Sequence, residues 1–388
     1  MKVSVLGVGC TKFAELWDKS LHDLIAQAQF TALDDAGIAS AQIESIFVGN
    51  MLAQQFNGQA HLGAIAAQQL GINVPSVRVE NACASGSSAL VCGVQAVLSG
   101  SANVVMVIGI EKMSDVAISQ ATSALMGAGD YQSEHFAGAT FPGLFAMVTR
   151  LYMQKHGLSN EELSRQLAAV SIKNHNNAAL NPLAQFNKKM TPDDYFKSPI
   201  VADPLRLLDC APISDGAAAI IISSYDFAKK HGKNKINIIA SSQATDTLDL
   251  ASREEITSFK ATKIAGENAF KIAGITQRDI GVAEIHDAFS MAEIIALEDL
   301  GFFEKGKAGA ETAHGKTQIN GVLPVNTSGG LKAKGHPVGA SGISQVTEVV
   351  SQLLGRCGQR QVKNARYGLT HNIGGIGTTA VVHIFERE

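Results

Sequence analysis

The chain has 388 residues, of which 46% are hydrophobic and 17% charged, and its net charge is −3. That balance excludes a disordered chain and leaves no electrostatic field for nucleic acid or an anionic membrane surface. No apolar run approaches the ~20 residues that cross a bilayer, and five cysteines scattered at 10, 83, 92, 210 and 357 without a CxxC pair argue against a disulfide scaffold or a zinc site.

A reducing compartment suits that cysteine usage, and a cytoplasmic location is the expectation. The N-terminus runs straight into a strand, and the last residues, FERE, match no peroxisomal or retention address. Thirty-seven glycines against nine prolines fit an α/β protein with many strand-to-helix turns.

In chain order, Val3 to Val8 reads as a buried strand. Leu21, Leu24, Ile25, Ala28, Ala32 and Leu33 recur at helical spacing, and Gly37 supplies a C-cap. A strand over Ile46 to Val48 and a small-residue helix over Ala60 to Leu70 follow. Val77 to Val79 then turns through NACASG into a helix that ends near Gly100, so Cys83 sits at a strand-to-helix elbow. NVVMVIGI, from Asn103 to Ile110, has the unbroken apolar character of a central strand. From Ser114 the pattern loosens. Helices are predicted near Leu144 to His156 and Asn160 to Asn177, followed by a loop with four prolines. Regularity returns with the strand Asp215 to Ile222 and a helix near Tyr225 to His231.

From Ile236 the chain mirrors its first part. Ala36-Gly37-Ile38 is matched by Ala273-Gly274-Ile275, and the strand ends at Val48 and Ile285 follow at equal spacing. The elbow Val79 to Gly86 is matched by Val325 to Gly342, with ten residues more in the second copy. We read a duplicated α/β unit. Residues 1–113 with 208–232 form the first half, 114–207 an inserted loop domain, and 233–388 the second half.

Polar residues gather at predicted strand ends, where open α/β sheets bind ligands. A helix N-terminus favours thiolate at Cys83, and small neighbours leave room for a substrate. His286 and Asp287 leave the Glu284–Ile285 strand, with Asp287 in position to cap the next helix. His336 sits between glycines with Pro337 fixing its backbone, as a general base at a nucleophile requires. His371 and Asn372 open a glycine-rich hairpin, HNIGGIG, whose N–H groups suit an oxyanion hole. Cys92 reads as a packing residue and Cys210 as structural, while Cys10 and Cys357 show no partner motif.

The set NACASG, HDAF, NTSGGLKAKGHPVGASG and HNIGGIG resembles the thiolase superfamily over essentially the whole chain, and the glycine-flanked GHP block is its most specific part. The resemblance implies two duplicated doubly wound α/β halves with an inserted loop domain, assembled as homodimers or dimers of dimers. It implies that Cys83 takes the acyl group from acyl-CoA and that His336 activates it and helps hold the thioester oxygen. Backbone N–H groups of Cys83 and Gly374 would form the oxyanion hole. Coenzyme A is a substrate, and no cofactor or metal is implied.

The departures are specific. Most thiolases carry asparagine at the place of His286, in NEAF, and a second, acid/base cysteine at the place of Asn372. The sterol-carrier-protein type reads HDCF, with that cysteine where Ala288 stands. The HDAF and HNxGG pairing resembles archaeal-type thiolases, some of which work beside a hydroxymethylglutaryl-CoA synthase and a small OB-fold partner. The α-proton base is then His286, His371, or His336 acting twice. Our expectation is that His286 donates to the enolate oxygen while His371 acts as the base, with the exchanged roles nearly equal. Ketoacyl or hydroxymethylglutaryl synthases lack the GHP block. An acyl-CoA-binding protein that no longer condenses is the other alternative. Met126, Phe141 and Met147, with Phe136 and Phe145, are the expected acyl-pocket walls.

Overall fold

The computed structural model describes residues 2–232 and 235–388. Its strands are β1 (Val3–Cys10), β2 (Ser45–Gly49), β3 (Ser76–Val79), β4 (Val104–Glu111), β5 (Ile200–Ala202), β6 (Leu205–Arg206), β7 (Gly216–Ser224), β8 (Ile236–Thr245), β9 (Ile280–Ile285), β10 (Tyr367–Gly374) and β11 (Thr379–Arg387). Nine form one mixed sheet in the order β3-β2-β4-β7-β1-β8-β11-β10-β9, while β5 and β6 make a separate hairpin. β2 runs parallel to β3 and β4, and β9 parallel to β10. The halves meet at the antiparallel pair β1–β8, with Val3 opposite Ile238. Inside β3, the order β2-β4-β7-β1 is mirrored by β9-β10-β11-β8 from the other end. Val325 even bridges Ala283 in parallel, as β3 pairs with β2. The matching helix ends agree as well, since Gly37 and Gly274 both take left-handed C-cap geometry, at φ 67° and 68°.

Two elbow helices, Ser85–Leu98 and Val338–Leu353, lie side by side, each against strands of both halves. Their apolar faces merge into one core through Leu90, Val94, Ile343, Val346 and Val350. The helix Leu21–Ala36 covers the outer face of the first half and Lys260–Ala273 that of the second. Strands covered on both faces must be apolar throughout, as β4 is, and it is buried along its whole length.

Residues 114–207 contribute no strand to the large sheet. The sequence places this segment on the first half, but Leu144, Val148, Leu163 and Tyr195 share a hydrophobic cluster with Phe259, Ile285 and Ile295 of the second half. The inserted segment therefore packs on the second half, its helix Asn160–Ala178 lying against the helices Ser290–Asp299, Ala308–Ala313 and Gly330–Lys334.

The elbows approach each other through glycine. A Cβ on Gly86 would fall 2.6 Å from the Gly339 carbonyl oxygen, and one on Gly109 would fall 2.5 Å from the same atom. Side chains at these positions would push the GHP loop away from the first elbow.

Candidate active site

Cys83 sits between β3 and its helix, just after Ala82, which holds a left-handed φ of 50°. A non-glycine residue in that region is strained and needs fixing by its surroundings. Here Glu80 Oε1 accepts from the Ala82 N–H (2.7 Å). Ser85 Oγ accepts from the Asn81 N–H (2.9 Å) and donates to the Ala82 carbonyl (2.5 Å).

An apolar cavity of about 290 Å³ opens on the sulfur, with His286, His336, Gly375 and Cys210 in its wall. Cys83 is almost wholly buried. The helix N-terminus does not dominate, contrary to the sequence reading. Burial pushes the thiol up to about 12, the Glu111 carboxylate adds to the rise, and the Gly375 and Cys83 N–H groups oppose it. The resting group is a thiol that needs a base.

His336 is placed to be that base. Its backbone N–H donates to Ser214 Oγ (3.0 Å). Its Nδ1 is 2.7 Å from Ser341 Oγ, and that hydroxyl donates its one proton to the Pro337 carbonyl (3.0 Å). Ser341 must then accept from Nδ1–H, so the free lone pair is on Nε2. Burial holds His336 down to about 3, so the ring is neutral.

His286 has the opposite tautomer. The Ile373 backbone N–H, which can only donate, points at its Nδ1 (3.3 Å), and Asn372 Nδ2 reaches the same atom (2.9 Å). The ring proton is therefore on Nε2. Burial, with His336 and His371 nearby, keeps this ring neutral too. The two rings stand edge to face, with centroids 5.2 Å apart. One histidine offers a lone pair and the other an N–H.

Asp287 does not cap its own helix. Its carboxylate accepts from the Leu331 N–H (2.6 Å) and Asn174 Nδ2 (2.7 Å), and so caps the short helix Gly330–Lys334 that leads into the GHP turn. Burial and Glu293 raise its affinity for a proton. Glu111 ties the halves together. It accepts from the Met51 and Leu52 N–H groups (both 2.9 Å), from Asn50 Nδ2 (2.8 Å) and from the Gly339 N–H (3.1 Å). Burial raises it to about 7.

Several expected residues stand elsewhere. His371 is fully buried, but its Nε2 pairs with Thr262 Oγ1 (2.9 Å) on the outer helix, away from the cavity. His371 and Asn372 do not open the hairpin but lie inside β10, which continues to Gly374, and side chains alternate along it. With Asn372 directed at His286, His371 must face the other way. It does not reach a substrate as a base. Gly375, not Gly374, directs its N–H at the sulfur, while Gly374 packs on the Asn81 carbonyl. Phe141 lines the cavity as expected, together with Phe145. Met147 is 49% exposed and Met126 is packed in the core, so neither forms its wall. His371→Ala is expected to leave turnover within tenfold of the unmodified protein while lowering stability by about 2–4 kcal/mol, the scale of a core cavity. Parallel activity and urea-unfolding measurements check it.

The family model for the thiolase N-terminal domain matches residues 3–226, and that for the thiolase C-terminal domain matches residues 242–387. The chain belongs to the thiolase family. This thiolase is 50% identical to an acetyl-CoA acetyltransferase of Methanothermobacter thermautotrophicus, over 99% of both chains. It is 37% identical to sterol carrier protein 2 of Gallus gallus, over 99% of this chain and 71% of the relative. Among solved structures, the Ltp2–ChsH2(DUF35) aldolase superposes with a TM-score of 0.85 at 24% identity, covering 98% of this chain and 97% of that one. Human mitochondrial 3-ketoacyl-CoA thiolase in complex with CoA gives 0.75 at 21% identity, covering 100% and 98%. The sequence reading missed Gly375, Ser341, Glu111 and Cys210 as neighbours of this thiolase's nucleophile. Ser341 is signalled by its place one helical turn after Pro337, the residue that fixes His336. Glu111 is signalled as a charge ending an apolar strand.

Proposed function

We propose that this thiolase moves short acyl groups between CoA thiols through an acyl-Cys83 intermediate. It joins acetyl-CoA to an acyl-CoA, or cleaves a 3-ketoacyl-CoA with CoA. The observation that carries this reading is the pair of opposite histidine tautomers beside a buried thiol. Cys83 gives its proton to His336 Nε2 and attacks the thioester carbonyl. The oxygen that becomes negative is met by the N–H groups of Cys83 and Gly375, donors that need no rearrangement. His336 returns the proton to the departing CoA sulfur. In the carbon–carbon step, His286 Nε2–H faces the enolate oxygen.

The cavity's size favours short acyl chains. Its volume is at the low end for ligand pockets, and Phe145 stacks on Phe289 in its wall with ring centroids 4.3 Å apart. Phe145→Ala is expected to shift preference toward longer 3-ketoacyl-CoA substrates by about tenfold or more in relative kcat/KM, within the range that differences of a few methylenes can supply. Competition between acetoacetyl-CoA and 3-ketohexanoyl-CoA reads it.

We further propose a homo-oligomer in the cytoplasm. β3 ends the sheet with Val77 half exposed, an edge suited to pairing with a second copy. Ile118, Val201 and Leu207 form an exposed apolar rim at the cavity mouth, which supports a partner protein there, such as an OB-fold subunit or a synthase that consumes the product. The deciding experiment is intact mass after incubation with acetyl-CoA, followed by thiolysis of acetoacetyl-CoA. An acetyl adduct with turnover is expected. No adduct with any short or medium acyl-CoA would leave an acyl-CoA-binding protein.

A further inference from the structure

After Cys83 is acylated, the carbon–carbon step still needs a group that exchanges a proton with the substrate's α-carbon. His371 faces away, and the two places where a second cysteine is expected hold Asn372 and Ala288. The cavity nevertheless contains a second thiol. Cys210 lines the same cavity as Cys83, His286 and His336. It reaches that wall from the segment before β7. There the Ala211 N–H donates to the Ala288 carbonyl (2.8 Å) and Cys210 bridges Phe289. The thiol is thus carried beside Ala288 by a neighbouring stretch of backbone.

Its surroundings are built. Asp209, the preceding residue, is held by the Tyr195 hydroxyl (2.7 Å), Ser290 Oγ (2.6 Å) and the Arg206 N–H (2.9 Å). Lys332 is buried alongside, with Nζ donating to the Leu208 carbonyl (3.3 Å). The Cys210 S–H donates to the Arg206 carbonyl, at 3.5 Å. Burial raises the thiol to about 11, the Lys332 charge draws it down, and Asp209 raises it. A group that rests protonated beside a buried cation suits an acid that becomes a transient anion.

We propose that Cys210 is the second catalytic thiol of this enzyme, exchanging the α-proton that Cys83 and the histidines do not handle. The proposal rests on the acyl-Cys83 reading above. In the cleavage direction, Cys83 gives its proton to His336 and its thiolate attacks C3 of the 3-ketoacyl-CoA. The C2–C3 bond breaks, and its electron pair becomes the enolate of acetyl-CoA. That carbon takes the proton of Cys210, so a C–H bond forms and the S–H bond breaks. The Cys210 thiolate recovers its proton from His336, and the incoming CoA thiol then gives its own proton to the freed His336 Nε2 and attacks acyl-Cys83. Cys83 leaves as thiolate and recovers its proton from His336. Condensation is the same sequence reversed, and no further reactant is required.

The test compares the unmodified protein with Cys210→Ala and Cys210→Ser. Three readouts are the acetyl adduct on Cys83, solvent deuterium entering the methyl group of acetyl-CoA in D2O, and thiolysis of acetoacetyl-CoA. Both variants are expected to form the adduct to the normal extent, which also reports an intact site. Deuterium entry and thiolysis should fall roughly 10²–10⁴-fold, as for loss of a general acid–base. Normal adduct with undiminished exchange or thiolysis overturns the role of Cys210 alone. Loss of the adduct in both variants overturns it in favour of a packing role. No adduct on the unmodified protein sinks the acyl-Cys83 reading and this inference with it.

Discussion

Cys83→Ser is expected to abolish the acetyl adduct and to lower thiolysis of acetoacetyl-CoA by roughly 10⁴–10⁶-fold, the scale of removing a covalent nucleophile. The fold should survive, because a hydroxyl can accept the Gly375 N–H that the sulfur accepts now. What is lost is acidity and softness. Burial already pushes the thiol up to about 12, and a hydroxyl in the same apolar wall would hold its proton far more tightly. Intact mass and a coupled spectrophotometric assay read the result. An adduct that persists in the variant would move the nucleophile to another side chain, with Cys210 the first to examine.

The second large effect belongs to His336. His336→Ala should slow acetylation of Cys83 by roughly 10²–10⁴-fold. The pH dependence separates a base from a packing residue. In the unmodified protein the thiol proton moves to Nε2 inside the site, so no net proton is lost or gained. His336 binds an outside proton only near pH 3, and Cys83 ionises freely only near 12. Falling pH therefore removes the base only as it approaches the lower value. The acetylation rate should be flat across the ordinary range, with no step near 6.5. Without His336 the thiol must ionise to solvent, and the rate should climb about tenfold per pH unit toward the alkaline limit. A flat profile in the variant would exclude His336 as the base.

Much of this was legible in the sequence because local rules agree with the fold. The elbow at Cys83 follows from an apolar strand, small turn residues and a helical run. The duplication shows in paired glycine caps such as Gly37 and Gly274. The errors have local causes as well. β10 is five residues longer than its apolar part suggests, since His371 and Asn372 are polar residues inside a buried strand. That extension reverses the facing of His371. Met147 and Phe145 are two residues apart on one helix, about 200° of rotation, so only one of them can face the cavity. Cys210 was unreadable because its neighbours in space come from distant parts of the chain.

Glu111 and the glycine contact at Gly339 bind the nucleophile's half to the base's half, and this has a consequence in time. A ribosome releases Cys83 about 250 residues before His336. At ordinary synthesis rates the thiol waits roughly 10–50 s for its base. Throughout that interval the growing chain holds a cysteine of ordinary acidity, with neither the burial nor the base that the finished site gives it. Acyl-CoA in the surrounding solution meets a thiol without its base or its oxyanion donors until the last strands close the sheet. The enzyme becomes reactive only when it is finished.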